Sequence, residues 1–216
     1  MAEHSPVEFP VVEPVETPSV ETPALNILVV CTGNICRSPL AEKLLQSRLT
    51  AAGIPAIIIS AGTRAMVDHP MTDEAAFLAT RYGAEPSLHA AQQLTPDRIA
   101  AADLVLTATR EHRGEVVSLH PRANRYAYTL NQFARLVEAN PPAVEFSVVE
   151  TTPTINTYLA EISTTKGLAL PPLEPSDDDI EDPYRRSAEV YDRVGMVIDE
   201  SVTTITTALA AANGRP

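Results

Sequence analysis

The chain has few of the residues that cross-link a fold or anchor it in a membrane. It contains two cysteines, Cys31 and Cys36, and no tryptophan in 216 residues. Because these cysteines lie five positions apart, they cannot join distant parts of a secreted fold. No apolar run approaches the roughly 20 residues that cross a bilayer, and the N-terminus lacks the basic and apolar regions of a signal peptide. We therefore expect a cytoplasmic protein in a reducing compartment, with no membrane association.

Positive charge is also scarce, with 16 lysines and arginines against 28 acidic residues. Eleven of the acidic residues lie in residues 1–24 and 171–182, which contain no lysine or arginine, and this leaves 17 acids against 16 bases elsewhere. The remainder is therefore nearly neutral and shows no basic stripe of the kind that binds nucleic acid. A nucleic-acid partner is not expected.

Proline divides the chain into regions. Residues 1–24 place a proline at about every fourth position and contain no glycine, which predicts an extended, solvated tail. Regular structure is expected over residues 25–212 as one domain. Within it, residues 140–180 are rich in proline and end in the acidic run, so we interpret them as a long, partly mobile insertion with a weak helical pattern at 156–164.

Short apolar runs alternate with helical patterns in the first part of this domain. Strands are predicted at residues 25–30, 56–60, 103–107 and 126–129, and helices at 40–52, 72–82, 109–119, 131–139 and 187–212. This alternation predicts an α/β fold: a three-layer sandwich in which a four-stranded parallel sheet is flanked by helices.

A loop from Cys31 to Ser38 follows the first predicted strand and carries the reactive residue types. A cysteine between a strand and a helix N-terminus faces converging backbone N–H groups, which bind anions and favour the thiolate. Gly33 and Asn34 tolerate the positive φ that turns amides inward. Arg37 offers a planar fork that matches two phosphate oxygens, and Ser38 can donate to the sulfur. We interpret the stretch as a phosphate-binding loop with a cysteine nucleophile, in preference to a plain turn that buries a thiol.

Four motifs in one order resemble the low-molecular-weight protein tyrosine phosphatases. They are VVCTGNICRSP at residues 29–39, SAGT at 60–63, HAAQQL at 89–94 and DPY at 182–184. Residues 103–112 are similar to bacterial members, especially actinobacterial ones. The resemblance covers residues 25–138 and 180–212, and it implies phosphomonoester hydrolysis through a cysteinyl-phosphate.

The resemblance also implies roles for the matching residues. Cys31 would be the nucleophile, Arg37 would clamp the phosphate and the transition state, and Asp182 would protonate the leaving phenolate and then activate water. The substrate would be bound by Thr32, Gly33, Asn34, Ile35, Cys36, Ser38 and Tyr184.

Supporting roles follow in the same way. Ser60 and His89 would join the loop in a hydrogen-bonded network that holds the thiolate. Cys36 would be a second loop thiol, able to form a reversible disulfide with Cys31 that protects it from over-oxidation.

Three positions depart from the family pattern. Arg185 stands where a glycine often follows the DPY motif, Gln92 replaces an arginine, and Met66 lies where many members carry an aromatic residue beside the substrate ring. These departures bear on substrate preference more than on the reaction.

Alternatives of the same fold and of another class stay open. Bacterial phosphoarginine phosphatases carry threonine at the position of Ile35, and arsenate reductases need a distal cysteine pair that this chain lacks. A non-catalytic phosphotyrosine-binding module is a further alternative, although both Cys31 and Asp182 are present.

No cofactor or metal is expected. The histidines His4, His69, His112 and His120 show no metal-ligand spacing and are predicted to lie at the surface. The resemblance implies a phosphotyrosine-bearing protein as the partner, with a bacterial tyrosine kinase of exopolysaccharide synthesis as a specific candidate.

Overall fold

The computed structural model describes residues 24–86, 88–142 and 154–214. The predicted tail, apart from Ala24, lies outside these ranges, and so do residues 143–153 of the predicted insertion.

A four-stranded parallel sheet lies at the centre of the fold. Its strands are β1 (Leu25–Cys31), β2 (Ala56–Gly62), β3 (Leu104–Thr107) and β4 (Ala127–Thr129), in the order β2-β1-β3-β4. Cys31 pairs with Gly62, and Thr107 lies beside both Val30 and Thr129, so the carboxyl ends of all four strands gather at one edge. The predicted parallel sheet is confirmed.

Seven α-helices connect and cover the described strands. They are α1 (Arg37–Ala51), α2 (Asp73–Arg81), α3 (Pro96–Ala100), α4 (Arg110–Leu119), α5 (Leu130–Ala139), α6 (Ile155–Thr165) and α7 (Ala188–Ala212). Two 3₁₀ turns cover Pro121–Arg125 and Pro175–Asp178. A threonine hydroxyl caps five of the helices by accepting a backbone N–H, as threonine commonly does at this position: Thr72, Thr95, Thr109, Thr129 and Thr154.

The two faces of the sheet are covered by different sets of helices. Side chains alternate along β1, so Ile27 and Val29 face a large cluster with α1, α2, α5 and α7, whereas Leu28 and Val30 face a smaller cluster with α3 and α4. This arrangement confirms the three-layer sandwich. The sequence pattern predicts the start of α1 at residue 40, whereas the helix begins at Arg37, and the short α3 has no counterpart among the predicted helices.

Helix α7 has the length and composition of a membrane-spanning segment. Its apolar side chains, however, are spaced along one face and pack into the large cluster, against α1, α2 and α5. At Gly195 the backbone lies so close to α2 that an added Cβ would stand 2.9 Å from Leu78 Cδ1. The contacts of α7 are therefore those of a core helix.

The described part of the 140–180 segment packs on the outer edge of the sheet. Tyr158 and Ile162 of α6 are buried in the large cluster. Beyond α6, Lys166 Nζ donates to the carbonyls of Asn124 and Ala127, and it lies 4.0 Å from the ring centroid of Tyr128. The segment thereby covers β4, which is the edge strand of the sheet.

Candidate active site

The Cys31 sulfur lies at the carboxyl end of β1 and is within hydrogen-bonding distance of two groups of its own loop. Cys31 Sγ is 3.0 Å from Ser38 Oγ and 3.3 Å from the backbone N of Asn34. Cys31 is 2% exposed. Donors at these distances stabilise a thiolate in a site that water barely reaches.

The loop also presents N–H groups that are not used inside the protein. Among the described residues, the backbone N–H groups of Gly33, Ile35 and Cys36 have no hydrogen-bond acceptor, and neither does the buried Nε of Arg37. Buried donors without partners are costly. A tetrahedral oxyanion bound above the sulfur is the ligand chemistry that would satisfy them together.

Asn34 is the residue that shapes this loop. It is fully buried and has φ of 57°, a left-handed conformation that asparagine tolerates better than most residues. Its Nδ2 donates to Ser38 Oγ at 2.9 Å and to Ser60 Oγ at 2.8 Å. Because Ser38 Oγ accepts from Asn34, its own proton is available to the Cys31 sulfur. The structure thus places Ser60 in the predicted network.

The second predicted member of the network, His89, contacts the backbone of Asn34. His89 Nε2 is 2.7 Å from the Asn34 carbonyl oxygen, and the backbone N of Gln92 donates to Asn34 Oδ1 at 2.7 Å. The side chain of Gln92 points elsewhere and accepts from Arg98 Nη2 at 3.0 Å. The departure from the family pattern at Gln92 therefore leaves its contact with the loop in place, since that contact is made by the backbone.

Glu42 of α1 completes the network and was missed from the sequence. Its Oε2 accepts from Ser60 Oγ and lies 4.0 Å from His89 Nδ1. It is one of several charged residues on α1, and only the packing of α1 beside β2 brings it to Ser60. This half-buried carboxylate takes the Ser60 proton, so Ser60 Oγ accepts from Asn34 Nδ2. Asn34 Nδ2 also donates to Ser38 Oγ, which leaves the Ser38 proton for the sulfur.

The SAGT motif holds the phosphate loop from the side of β2. The backbone N–H groups of Thr63, Arg64 and Met66 donate to the carbonyls of Cys31, Thr32 and Gly33, at 2.9 to 3.0 Å. An added Cβ at Gly62 would lie 2.4 Å from the Thr32 carbonyl oxygen. The close approach of these two backbones is the physical reason for glycine at that position.

Arg37 is buried, and three separate groups fix its guanidinium. Nη1 donates to the Ile180 carbonyl at 3.0 Å, and Nη2 lies 3.4 Å from Thr32 Oγ1 and 2.9 Å from Asp182 Oδ2. The Arg37 guanidinium is therefore held beside the loop, and its Nε has no hydrogen-bond acceptor among the described residues.

His112 lies in the site, so the prediction that it lies at the surface is wrong. It is 4% exposed, with Nε2 2.8 Å from Thr32 Oγ1 and Nδ1 2.7 Å from Thr109 Oγ1. Burial, with the nearby Arg37 cation, lowers the pKa of His112 to about 4, so the ring is neutral at pH 7. A Thr-x-x-His sequence directly after a strand was the available signal, because the helix cap folds the ring back toward the sheet edge.

The other predicted surface histidines differ among themselves. His69 is exposed and His120 is half-buried, while His4 lies outside the described residues. No group of side chains that could hold a metal ion occurs within the described ranges.

The acidic run before the DPY motif is tied down by arginines from different helices. Asp178 pairs with Arg135 of α5, Asp179 with Arg110 of α4, and Glu181 with Arg193 of α7. The backbone N of Ile180 also donates to the carbonyl of Ala108 at 2.8 Å. These contacts deliver Asp182 to the phosphate loop, although its side chain remains 52% exposed.

The pocket above the sulfur has a volume of about 180 Å³ and mainly apolar walls. Ile35, Met66 and Tyr184 line it together with Arg64 and Asp182. Such walls fit a flat ring that carries the phosphate, with the acid at its edge. The predicted substrate-binding residue Tyr184 and the departure at Met66 therefore both lie on the pocket.

The second loop cysteine has a different environment from the first. Cys36 Sγ is 3.5 Å from Tyr191 OH and 3.6 Å from Thr72 Oγ1. Burial raises the pKa of the Cys36 thiol, so it stays protonated. Both cysteines are free thiols in the structure, and the disulfide between them remains a prediction.

Comparisons with known proteins agree with this geometry. A sequence profile described as Low molecular weight phosphotyrosine protein phosphatase matches residues 26–142. The low molecular weight protein-tyrosine-phosphatase Etp of Escherichia coli K12 is 36% identical over 117 residues, covering 54% of this chain and 76% of Etp. A protein-arginine-phosphatase of Bacillus subtilis is 33% identical over 110 residues, covering 50% of this chain and 72% of that enzyme.

A solved structure extends the match to the fold. The tyrosine phosphatase amsI of Erwinia amylovora superposes with a TM-score of 0.61 and 25% identity, covering 88% of this chain and 96% of amsI. The chain therefore belongs to the low molecular weight phosphotyrosine protein phosphatase family.

Proposed function

We propose that this phosphatase hydrolyses phosphotyrosine in proteins through a covalent intermediate on Cys31. One observation carries the proposal: unpartnered loop N–H groups surround a cysteine sulfur that two donors stabilise, and Asp182 lies 2.9 Å from the arginine of the same loop. That set provides a nucleophile, an oxyanion cradle and an acid within one pocket.

In the first step the Cys31 thiolate attacks phosphorus, an S–P bond forms and the P–O bond to the tyrosine breaks. Arg37 and the loop N–H groups hold the equatorial oxygens, where charge accumulates in the transition state. Asp182 gives its proton to the leaving phenolate oxygen. The exposure of Asp182 at the pocket mouth suits a group that must meet a leaving group at the rim.

In the second step Asp182, now a carboxylate, removes a proton from water as the water attacks the phosphorus. The S–P bond breaks and the electron pair returns to Cys31 Sγ. Ser38 and the backbone N–H of Asn34 stabilise that thiolate as a leaving group, because both lie within hydrogen-bonding distance of the sulfur. Inorganic phosphate then leaves.

The pocket walls favour phosphotyrosine over phosphoarginine. Ile35, which is 6% exposed, lines the pocket together with Met66 and Tyr184, so much of the wall beside a substrate ring is aliphatic and aromatic. A phenyl ring gains from contact with such walls, whereas a guanidinium requires polar partners for its N–H groups. Arsenate reduction is disfavoured because the chain holds no cysteine beyond the two in the loop.

A substrate panel tests the proposal. We expect kcat/KM for a phosphotyrosine peptide to exceed that for a matched phosphoarginine peptide by about 100-fold, because the guanidinium N–H groups of phosphoarginine would be buried without hydrogen-bond partners. Ile35→Thr should lower the ratio of the two kcat/KM values. Ile57→Thr, the same change at an exposed position early in β2, should leave that ratio unaltered. Faster turnover of the phosphoarginine peptide would contradict the tyrosine assignment. Binding without turnover would favour the non-catalytic module.

Partner and location follow from the substrate class. We propose a phosphotyrosine-bearing protein as the partner, in the reducing cytoplasm where a nucleophilic thiol persists. The tyrosine kinase of exopolysaccharide synthesis stays a prediction, tested by capture with Asp182→Ala on phosphotyrosine proteins of the source cell.

A further inference from the structure

The turn after Asp182 contains a residue in a conformation that suits glycine. The backbone N of Arg186 donates to the Pro183 carbonyl at 2.9 Å, which closes a four-residue turn over 183–186. Arg185, the third residue of that turn, has φ of 59°. Positive φ at the third position of such a turn calls for glycine or asparagine, and an arginine there is strained.

The Arg185 side chain stacks on a residue of the substrate pocket. Its guanidinium lies over the Tyr184 ring, 5.1 Å from the centroid, and Tyr184 is a wall of the substrate pocket. Arg186 and Arg193 both pair with Glu181, whereas Arg185 forms no ion pair within the described part of the chain. Stacking on Tyr184 therefore holds the Arg185 guanidinium near the pocket, where it is free to pair with a carboxylate of a bound peptide.

Arg64 lies on the wall of this pocket, on a different loop from Arg185. Arg64 is 66% exposed, and its nearest carboxylate, on Glu115, lies at the long distance of 3.8 Å. Arg64 belongs to the loop after β2, whereas Arg185 belongs to the turn after Asp182. Two cations therefore lie near this pocket: Arg185 has no ion pair within the described residues, and Arg64 has one long ion pair.

We propose that Arg185 and Arg64 select phosphotyrosine segments that carry acidic residues next to the phosphorylated tyrosine. Strained backbone persists where function requires it, and the strained residue here places a cation beside the ring that would flank the substrate. The two guanidinium groups would each receive a carboxylate while the phosphate enters the loop. This inference rests on the proposed phosphotyrosine activity and adds the chemistry of the surrounding peptide.

A stability measurement separates this role from a structural one. Arg185→Gly removes the cation and relieves the positive-φ strain, so the thermal midpoint should stay the same or rise, by about 2 °C. Arg122→Gln, at an exposed position in the 3₁₀ turn before β4, serves as the charge-matched control. A clear fall in the midpoint of Arg185→Gly would mean that Arg185 is retained for folding, and it would overturn the inference.

The specificity measurement uses two peptides that differ only in the residues beside phosphotyrosine, glutamate in one and glutamine in the other. We expect the wild type to prefer the acidic peptide by about tenfold in kcat/KM, because each rim pair contributes about threefold to fivefold. Arg185→Gly and Arg64→Gln should each lower that ratio by about threefold, and the double variant should bring it near one. Arg122→Gln should keep the wild-type ratio.

The dependence of the peptide preference on salt is a further test of the inference. The preference should shrink as ionic strength rises, because exposed charges are screened. A wild type that turns over both peptides equally, or a double variant that keeps the preference, would refute the inference while leaving the phosphotyrosine activity intact. Failure to turn over either peptide would instead refute the proposed function.

Discussion

Two loops form the proposed active site, and they differ in burial and in the way they are supported. In the phosphate loop, residues 31–38, the sulfur, Asn34 and Arg37 are almost fully buried and each is fixed by several partners. In the acid loop, residues 180–187, Asp182 and its successors up to Ser187 are exposed except for Pro183, and one residue takes a strained conformation. The first loop is supported by β1, β2 and α1, the second by ion pairs along its approach.

This difference separates the constant part of the reaction from its variable part. Attack at phosphorus has the same geometry for every phosphomonoester, so a rigid, preorganised cradle serves it best. The leaving group and the surrounding peptide differ between substrates, so the groups that meet them lie on an exposed loop that changes at lower cost. Substitutions of the buried Cys31, Asn34 or Arg37 should therefore strongly lower turnover, and substitutions of the exposed residues that follow Asp182 should change its selectivity.

The largest effect on activity is expected from the oxyanion cradle, which consists of the loop N–H groups of Gly33, Ile35 and Cys36 and the guanidinium of Arg37. Arg37→Lys keeps the charge but loses the planar fork, and it should lower kcat/KM by about 10³-fold, as loss of a transition-state donor does. Arg48→Lys, the same change later in α1, should retain activity within about twofold. Steady-state kinetics with p-nitrophenyl phosphate measure both. If Arg37→Lys kept more than a tenth of the activity, the cradle would not hold the transition state through that fork.

The next effect belongs to the acid loop and depends on the leaving group. Asp182→Asn should lower kcat by about 10²- to 10³-fold on a phosphotyrosine peptide, and by less on p-nitrophenyl phosphate, whose phenolate leaves without a proton. Asp192→Asn removes an exposed carboxylate of α7 and is the control. Equal losses on both substrates would show that Asp182 acts other than as the acid.

His112 supports the cradle from outside it, so its effect should be intermediate. His112→Gln should lower kcat/KM by about tenfold, because Thr32 and through it Arg37 lose a fixed partner. The pKa of His112 in the folded protein is about 4 against 6.5 ordinarily, so the unfolded chain binds the proton first as pH falls. The ring therefore stabilises the fold fully above pH 6.5 and loses this contribution as pH falls toward 4.

Thermal unfolding across this pH range tests the sign. The stability advantage of the wild type over His112→Gln should be larger at pH 7 than at pH 5. An advantage that grows toward acid would mean that the ring is charged in the folded state.

The smallest effect is expected at a departure from the family pattern. Gln92→Arg restores the arginine of the family motif, yet kcat/KM should change by less than about twofold, because the contact with Asn34 is made by the backbone. Asn34→Ala is the contrasting variant, since it removes the side chain that links both serines. A large change in Gln92→Arg would mean that this side chain reaches the cradle after all.

The sequence predicted the sheet, its helices and the main loop because each is encoded locally. Buried β-branched runs, threonine caps and the glycine and asparagine of the loop are short-range signals. Glu42, Tyr191 and the buried state of His112 were missed, because each acquires its role from a partner far along the chain. The strain at Arg185 could be suspected from the sequence only because the family often has glycine at this position. The structure explains that glycine, since the third residue of the turn has positive φ.

The central claim is that Cys31 carries the phosphoryl group during turnover. Rapid acid quenching of the wild type and of Asp182→Ala, followed by peptide mass spectrometry, measures this directly. We predict one phosphoryl group on the peptide that contains Cys31, with a larger steady-state fraction in Asp182→Ala on an activated aryl phosphate, because that substrate needs no acid and hydrolysis lacks its base. Turnover by Cys31→Ser at the wild-type rate, with no phosphoryl group on the loop, would contradict the account.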